Sequence, residues 1–312
     1  MKRCCVIGGG GFIGASVVDA LLSTGRKVAV VGRRPEPSWR LPDRVPYFQG
    51  DISDRGFMAE RLQEADEVID LAYSSVPKTS FENPVGDILG NLPASVGMFE
   101  LACSFPIRKM VFVSSGGTIY GEPTVLPIPE THPTNPISPY GITKLALEKY
   151  AFMFHRLKGL PITCVRPSNP FGAGQKAFVG QGFIATAIAS TLAGKDILVF
   201  GEKGTIRDYI DVKDLAKGIV AALDSALPGE CYNVGSGIGR SNLDVIASIA
   251  RVAEEYGLKP GIRHQPSRPF DVSANVLDTG KLRAVSGWQP EADFDESIRK
   301  AFIWYLEHHG HQ

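Results

Sequence analysis

The sequence predicts an α/β fold: a doubly wound parallel sheet followed by a smaller C-terminal α/β lobe. Three observations lead there. Short β-branched runs alternate with longer amphipathic stretches through the first half. The runs are apolar without a break, as in Val28-Ala29-Val30-Val31, which fits strands buried on both faces. A glycine-rich loop joins the first run to the first amphipathic stretch. Strands are expected at 4–7, 28–31, 45–48, 68–71, 110–114 and 162–166, with helices at 13–23, 94–103 and 139–154. After Arg166 the texture changes. Gly and Pro become frequent over 167–182, and helical stretches at 183–193 and 214–223 flank a loop rich in glycine and charge. These shifts divide the chain into a nucleotide-binding domain at 1-166 and a mainly substrate-binding lobe at 167-312 whose chain crosses back to the sheet. The ligand is expected beyond the strand C-termini, at the topological switch point.

Bulk properties exclude several classes. The chain has 312 residues, enough for a large core, and 33 basic residues balance 33 acidic ones. No basic block of the kind that tracks phosphate backbones occurs, so nucleic acid is not an expected partner. The opening Met1-Lys2-Arg3 runs into an apolar stretch too short for a secretory signal, and no apolar run approaches ~20 residues, so neither export nor a membrane span is expected and the location should be cytoplasmic. The five cysteines sit mostly in apolar runs without Cys-x-x-Cys or Cys/His spacing, which reads as reduced, buried thiols and no metal.

Gly8, Gly11 and Gly14 form Gly-x-x-Gly-x-x-Gly between strand and helix, the setting of the Rossmann-like dinucleotide fingerprint. Such glycines allow a tight turn, close approach to a pyrophosphate and close packing of helix on strand, and the helix presents free N–H groups of residues such as Phe12 and Ile13 to the anion. The acid that binds the adenosine ribose should close the second strand. Here that strand reads Val31-Gly32-Arg33-Arg34. A glycine replaces the acid and Arg33 follows, which suits a 2′-phosphate and leans from NAD to NADP.

Tyr140 and Lys144 lie four apart, on one face of the expected helix. Free tyrosine titrates near pKa ~10, and bringing it to neutrality takes about 3 units, or roughly 4 kcal/mol. Two unit charges at ~4 Å supply on the order of 4 kcal/mol at an effective dielectric of about 20. The spacing therefore predicts a phenol activated as a base by the neighbouring ammonium.

These residues resemble the extended short-chain dehydrogenase/reductase family, in particular its NAD-dependent nucleotide-sugar epimerases and dehydratases of the UDP-glucose 4-epimerase kind. The resemblance covers essentially the whole chain. It implies that Gly8 to Gly14 is the cofactor loop, that Asp51-Ile52 contacts the adenine, and that Asp70-Leu71-Ala72 is the fourth-strand segment, whose first position is commonly His and whose Leu71 meets the cofactor. Asn91, Tyr140 and Lys144 then fall at positions of the catalytic tetrad. Ser114 to Gly121 is similar to the fifth-strand catalytic segment, but Gly116 stands where the family carries Ser or Thr. Side chains two apart share a strand face, so Thr118 is expected to supply the hydroxyl and Ser115 to point away. The resemblance further implies that Asn169, Arg207, Tyr209, Arg268 and Asp271 hold the sugar nucleotide, the arginines gripping its diphosphate.

Three readings are open. One is a UDP-hexose 4-epimerase that oxidises and re-reduces C4. The second is an NADPH-dependent 4-keto reductase making a deoxysugar nucleotide, which Gly32-Arg33 favours. The third is a non-catalytic NADP(H)-binding protein, for which only Gly116 argues. A 4,6-dehydratase fits less well, because Gly117-Thr118 offers no acid pair after the catalytic segment. A homodimer is the expected assembly.

Overall fold

The computed structural model describes residues 1–202, 204–266 and 272–308. The first half runs β1 (Arg3–Ile7), α1 (Phe12–Ser23), β2 (Lys27–Gly32), β3 (Tyr47–Gln49), α2 (Arg55–Gln63), β4 (Glu67–Asp70), α3 (Pro77–Glu82), α4 (Pro84–Ala102), β5 (Lys109–Val113), α5 (Pro139–Lys158) and β6 (Ile162–Pro167). The second half runs β7 (Asn169–Phe171), α6 (Phe183–Leu192), β8 (Asp196–Phe200), β9 (Ile206–Asp211), α7 (Val212–Ser225), β10 (Cys231–Val234), β11 (Gly239–Ser241), α8 (Asn242–Glu254), β12 (Gly261–Gln265), β13 (Ala274–Asn275), α9 (Gly280–Ser286) and α10 (Phe294–His308). Among the described residues a seven-stranded parallel sheet has the order β10-β6-β5-β4-β1-β2-β3. The order reverses at β1, so a crevice opens there beyond the strand C-termini.

Alternation along each strand explains the two helical layers. Val6, Val30, Ile69, Val111 and Val165 pack beneath α1 and α7, whereas Ile7, Val68, Phe112 and Cys164 pack beneath α2, α4 and α5. A third core gathers α6, α8 and α10 around Tyr209, Val199 and Phe171 in the C-terminal lobe. The chain then re-enters the main sheet, because β10 pairs in parallel with β6.

Three elements differ from expectation, each for a local reason. The third strand starts at Tyr47 rather than at 45, because Val45 closes a turn onto Pro42 and Pro46 has no N–H to give the ladder. Helix α4 begins at Pro84, ten residues before its expected start. Asn83 caps it by accepting from the Gly86 N–H at 2.8 Å, Pro84 fills its opening position, and Pro93 sits inside. Strand β5 stops at Val113, one residue short, and the chain turns through Gly116–Thr118. That early stop reshapes the site.

Candidate active site

The sheet's C-terminal edge and the lobe enclose a cleft of about 1300 Å³. Gly8, Gly11, Phe12, Ile13, Gly14, Arg33, Asp51, Ile52 and Leu71 line one end, with Asn91, Thr118, Tyr140 and Lys144 at the centre and Asn169, Arg207 and Tyr209 towards the other end. Arg268 and Asp271 fall outside the described residues.

The glycine loop fits a dinucleotide. A Cβ at Gly14 would lie 2.5 Å from the Gly8 carbonyl oxygen and the Gly9 Cα, so helix and loop touch only because both glycines are bare. Gly11 caps α1 without a side chain, and the first N–H groups of the helix, which no intrahelical carbonyl can reach, face the cleft. On the adenosine side, Asp51 is fastened by the Ser53 N–H at 2.9 Å and the Ser53 hydroxyl at 2.7 Å, which hold its carboxyl below the usual range.

Helix α5 presents Tyr140 from its first turn. Ser138 caps the helix through the Gly141 N–H at 3.1 Å, Pro139 fills its opening position, and the Ser80 hydroxyl of α3 accepts the Tyr140 N–H at 3.1 Å. The first turn is thereby fixed with its donors satisfied. The Tyr140 ring packs edge-on against Tyr73, centroids 4.9 Å apart. Lys144 is buried and donates to the Val113 carbonyl at 2.8 Å, with Nζ 4.1 Å from the Tyr73 centroid and 5.9 Å from that of Tyr140.

This geometry corrects the expected electrostatics. Burial pushes the Tyr140 phenol well above its usual range; a hydrogen bond from Ser115 opposes the shift and the nearby Asp87 adds to it. Burial likewise draws Lys144 down to about 8, against the pull of Asp70, Glu148 and Asp87. The earlier comparison weighed Coulomb attraction without desolvation, which is the larger effect here.

The expectation that Ser115 points away from the site does not hold, since Ser115 and Thr118 both line the cleft. Beyond Val113 the chain is no longer a strand, so alternation does not govern 114–118. Ser115 lines the cleft with Tyr140 and favours the ionised phenol, and Thr118 donates to Ser115 Oγ at 2.9 Å. Gly116 is held to the neighbouring strand by its N–H on the Pro167 carbonyl at 2.8 Å, and a Cβ there would lie 2.9 Å from the Arg166 carbonyl oxygen. A serine at 116 has no room in this backbone.

The matching profile is that of the NAD dependent epimerase/dehydratase family, which spans residues 4–235. The chain belongs to the NAD-dependent epimerase/dehydratase family. A UDP-glucose 4-epimerase of Mycolicibacterium smegmatis is 33% identical over 97% of this chain and 98% of that protein. A putative UDP-glucose 4-epimerase of Methanocaldococcus jannaschii is 31% identical over 96% and 97%. Among solved structures, the UDP-glucose 4-epimerase of Thermus thermophilus in complex with NAD superposes with a TM-score of 0.89 at 33% identity, covering 97% of this chain and 99% of that one. This chain is thus an enzyme of the extended short-chain dehydrogenase/reductase type, and solved relatives such as the Thermus thermophilus epimerase are described with NAD bound to them. Among the described residues no helix is long and apolar enough to cross a membrane.

Several of the site residues expected from the sequence are engaged in hydrogen bonds within the protein. Asn91 is buried, its Oδ1 accepting from the Ser74 N–H at 2.7 Å and hydroxyl at 3.0 Å while Nδ2 donates to the Asp87 carbonyl at 2.8 Å. It pins the loop after β4 beside Tyr140. Asn169 donates to the Asp208 carbonyl at 3.1 Å, and Arg207 donates to the Ile206 carbonyl at 2.8 Å. Tyr209 is buried against Phe171 and Phe294, so its ring belongs mostly to the lobe core.

Sequence reasoning missed two positioning residues. Asp208 is wholly buried and accepts from the N–H groups of Ser236, Gly237 and Leu277, which locks β9 and therefore Arg207 in place. Asp87 accepts from the hydroxyls of Tyr73, Ser75 and Thr143 and ties α4 to α5 behind Tyr140. The one available clue to Asp87 was its place four residues before Asn91 on a helix.

Proposed function

We propose that the protein is a nucleotide-sugar 4-epimerase acting on a UDP-linked hexose, oxidising the C4 hydroxyl to a ketone and reducing it again on the opposite face. One observation supports this reading above the rest: a single cleft joins a dinucleotide cradle, the buried Tyr140–Lys144 pair and the Asn169–Arg207 end. When bound, the nicotinamide supplies the hydride acceptor and a positive charge beside the phenol. Tyr140 takes the C4 hydroxyl proton and returns it, while Ser115 donates to the phenolate oxygen as charge develops. Lys144 contributes its ammonium and holds the nicotinamide ribose. Arg207, with Arg268, grips the diphosphate, and an anchor remote from the sugar lets the ring turn without losing the nucleotide.

The test is to incubate the purified protein with UDP-galactose, without added cofactor, and follow UDP-glucose by NMR. Interconversion with tightly bound NAD supports the proposal. Failure with both UDP-hexoses and UDP-N-acetylhexosamines overturns it.

The second reading, an NADPH-dependent 4-keto reductase, is favoured by the ribose end of the cleft. A Cβ at Gly32 would come within 3.0 Å of the Tyr47 ring carbons, so an acid there would have to displace that ring, and the adjacent Arg33 lines the cleft. A charge-assisted hydrogen bond contributes about 1.5–3 kcal/mol. If Arg33 meets a 2′-phosphate, Arg33→Ser lowers the NADP(H)-to-NAD(H) affinity ratio by roughly tenfold or more in a binding titration. A wild-type protein with no preference for NADP(H) removes this reading's main support.

A homodimer fits the outer faces of α4 and α5, which pack on each other and expose Val85, Ile88 and Leu89 on one helix and Ile142, Met153 and Leu157 on the other. Sedimentation at twice the chain mass is expected.

A further inference from the structure

Lys144 is buried among three acids, and their hydrogen bonds distinguish them. Glu148 gives both oxygens to Arg166, at 3.0 Å and 2.6 Å. Asp87 accepts from three hydroxyls, those of Tyr73, Ser75 and Thr143. Asp70 differs. Its Oδ1 accepts the Ala72 N–H at 3.0 Å, but its Oδ2, fully enclosed, has no hydrogen-bond partner.

Position explains why Asp70 matters to this lysine. It closes β4, where strand alternation places it with Val68 on the sheet face covered by α4 and α5. Its register partner on β5 is Phe112, and Lys144 Nζ lies 4.9 Å from the Phe112 ring centroid. A carboxylate with an uncommitted oxygen therefore lies on the same dry face as the ammonium.

We propose that Asp70 is the counter-charge of Lys144, a positioning residue that keeps the ammonium protonated and so sets the pH range in which Tyr140 can act. An uncompensated buried charge would shed its proton or draw in water. The other titratable groups facing Lys144 are Tyr73 from the loop after β4, Asp87 from α4, Tyr140 and Glu148 from α5, and Cys164 from β6; Cys5 of β1 also faces Asp70. Burial pushes the Asp70 carboxyl up to about 6, with Lys144 and the Ala72 N–H opposing the shift. Lys144 is drawn down to about 8. Between those values both groups are charged. Below the first, Asp70 is neutral and the ammonium loses its partner.

The catalytic consequence rests on the proton-acceptor role proposed for Tyr140, but the charge pairing does not, so the test reads the lysine directly. Full-length protein with labelled lysine is titrated by NMR from about pH 5 to about pH 10, Lys144 being assigned by its loss in Lys144→Met. The wild-type resonance should titrate near 8 and show a second inflection near 6. Removing a nearby opposite charge shifts a group by about one unit or more, so Asp70→Asn should lower the Lys144 midpoint by that amount and Asp70→Glu should largely restore it. The pH optimum of turnover should move downward with it, since the ammonium then survives only at lower pH. A Lys144 midpoint unmoved in Asp70→Asn, with a lowered melting temperature, would mean a merely structural role and overturn the proposal. If Asp70→Asn does not fold, absence of the second inflection in the wild type overturns it. A protein inactive on every nucleotide sugar leaves this titration readable.

Discussion

Tyr140→Phe is expected to lower turnover by about 10²–10⁴-fold, the usual contribution of a positioned general base, with nucleotide-sugar affinity nearly unchanged. The ring keeps its edge-on packing against Tyr73, and the backbone N–H keeps its bond to Ser80, so only the hydroxyl is lost. Because burial holds the phenol above its usual pKa, the protein alone does not supply a ready phenolate. The proton must leave Tyr140 only when hydroxyl donors and neighbouring positive charge converge on its oxygen. Steady-state kinetics paired with calorimetric binding of UDP-hexose checks this, and wild-type turnover in the variant would remove Tyr140 from the chemistry.

Ser115→Ala should cost about 1–3 kcal/mol in transition-state terms, the range for leaving a buried polar partner unmet. Thr118→Ala should cost less, because Thr118 donates to Ser115 and it is Ser115 that favours the ionised phenol. The double variant should behave like Ser115→Ala alone, since the two hydroxyls act in series. Measured kcat/KM for the three variants decides the order. A silent Ser115→Ala beside a damaging Thr118→Ala would reinstate the strand-face argument that the early end of β5 displaced.

The contrast between those two hydroxyls shows where sequence reading works and where it stops. Strand alternation divides the sheet between two helical layers, and the unbroken apolar run of Val28 to Val31 announced burial on both sides. It failed at Ser115 because one missing ladder residue releases the chain from the period-two rule, and no residue type announces that β5 ends at Val113. The glycine loop was legible because each glycine answers a contact that can be written down in advance, as at Gly14. Gly32 and Gly116 were legible only as departures. Their cause, the Tyr47 ring in one case and the Arg166 carbonyl in the other, lies in other strands. The Tyr140–Lys144 spacing correctly put both residues on one helix, yet spacing carries no information about desolvation, which reverses the expected shift. Asp70 was read only as a member of a segment and Asp87 was not singled out; their charges acquire meaning only when β4, α4 and α5 are stacked.

The return of the chain to the sheet has a bearing on synthesis. A nascent chain that has emerged as far as Pro167 holds six of the seven strands of the main sheet. The outer edge of β6 still has no neighbour until β10 arrives, and Val17, Val18 and Leu21 of α1 have no α7 to cover them. An unpaired edge and a bare apolar helix face are the features that invite association with other unfinished chains. Pairings this distant in sequence also close late, after much loop entropy has been lost. The main sheet therefore cannot be completed before Val234 is free of the ribosome, when part of the C-terminal lobe has already been made, and the core beneath α1 and α7 waits longer still for Leu282 and Trp288.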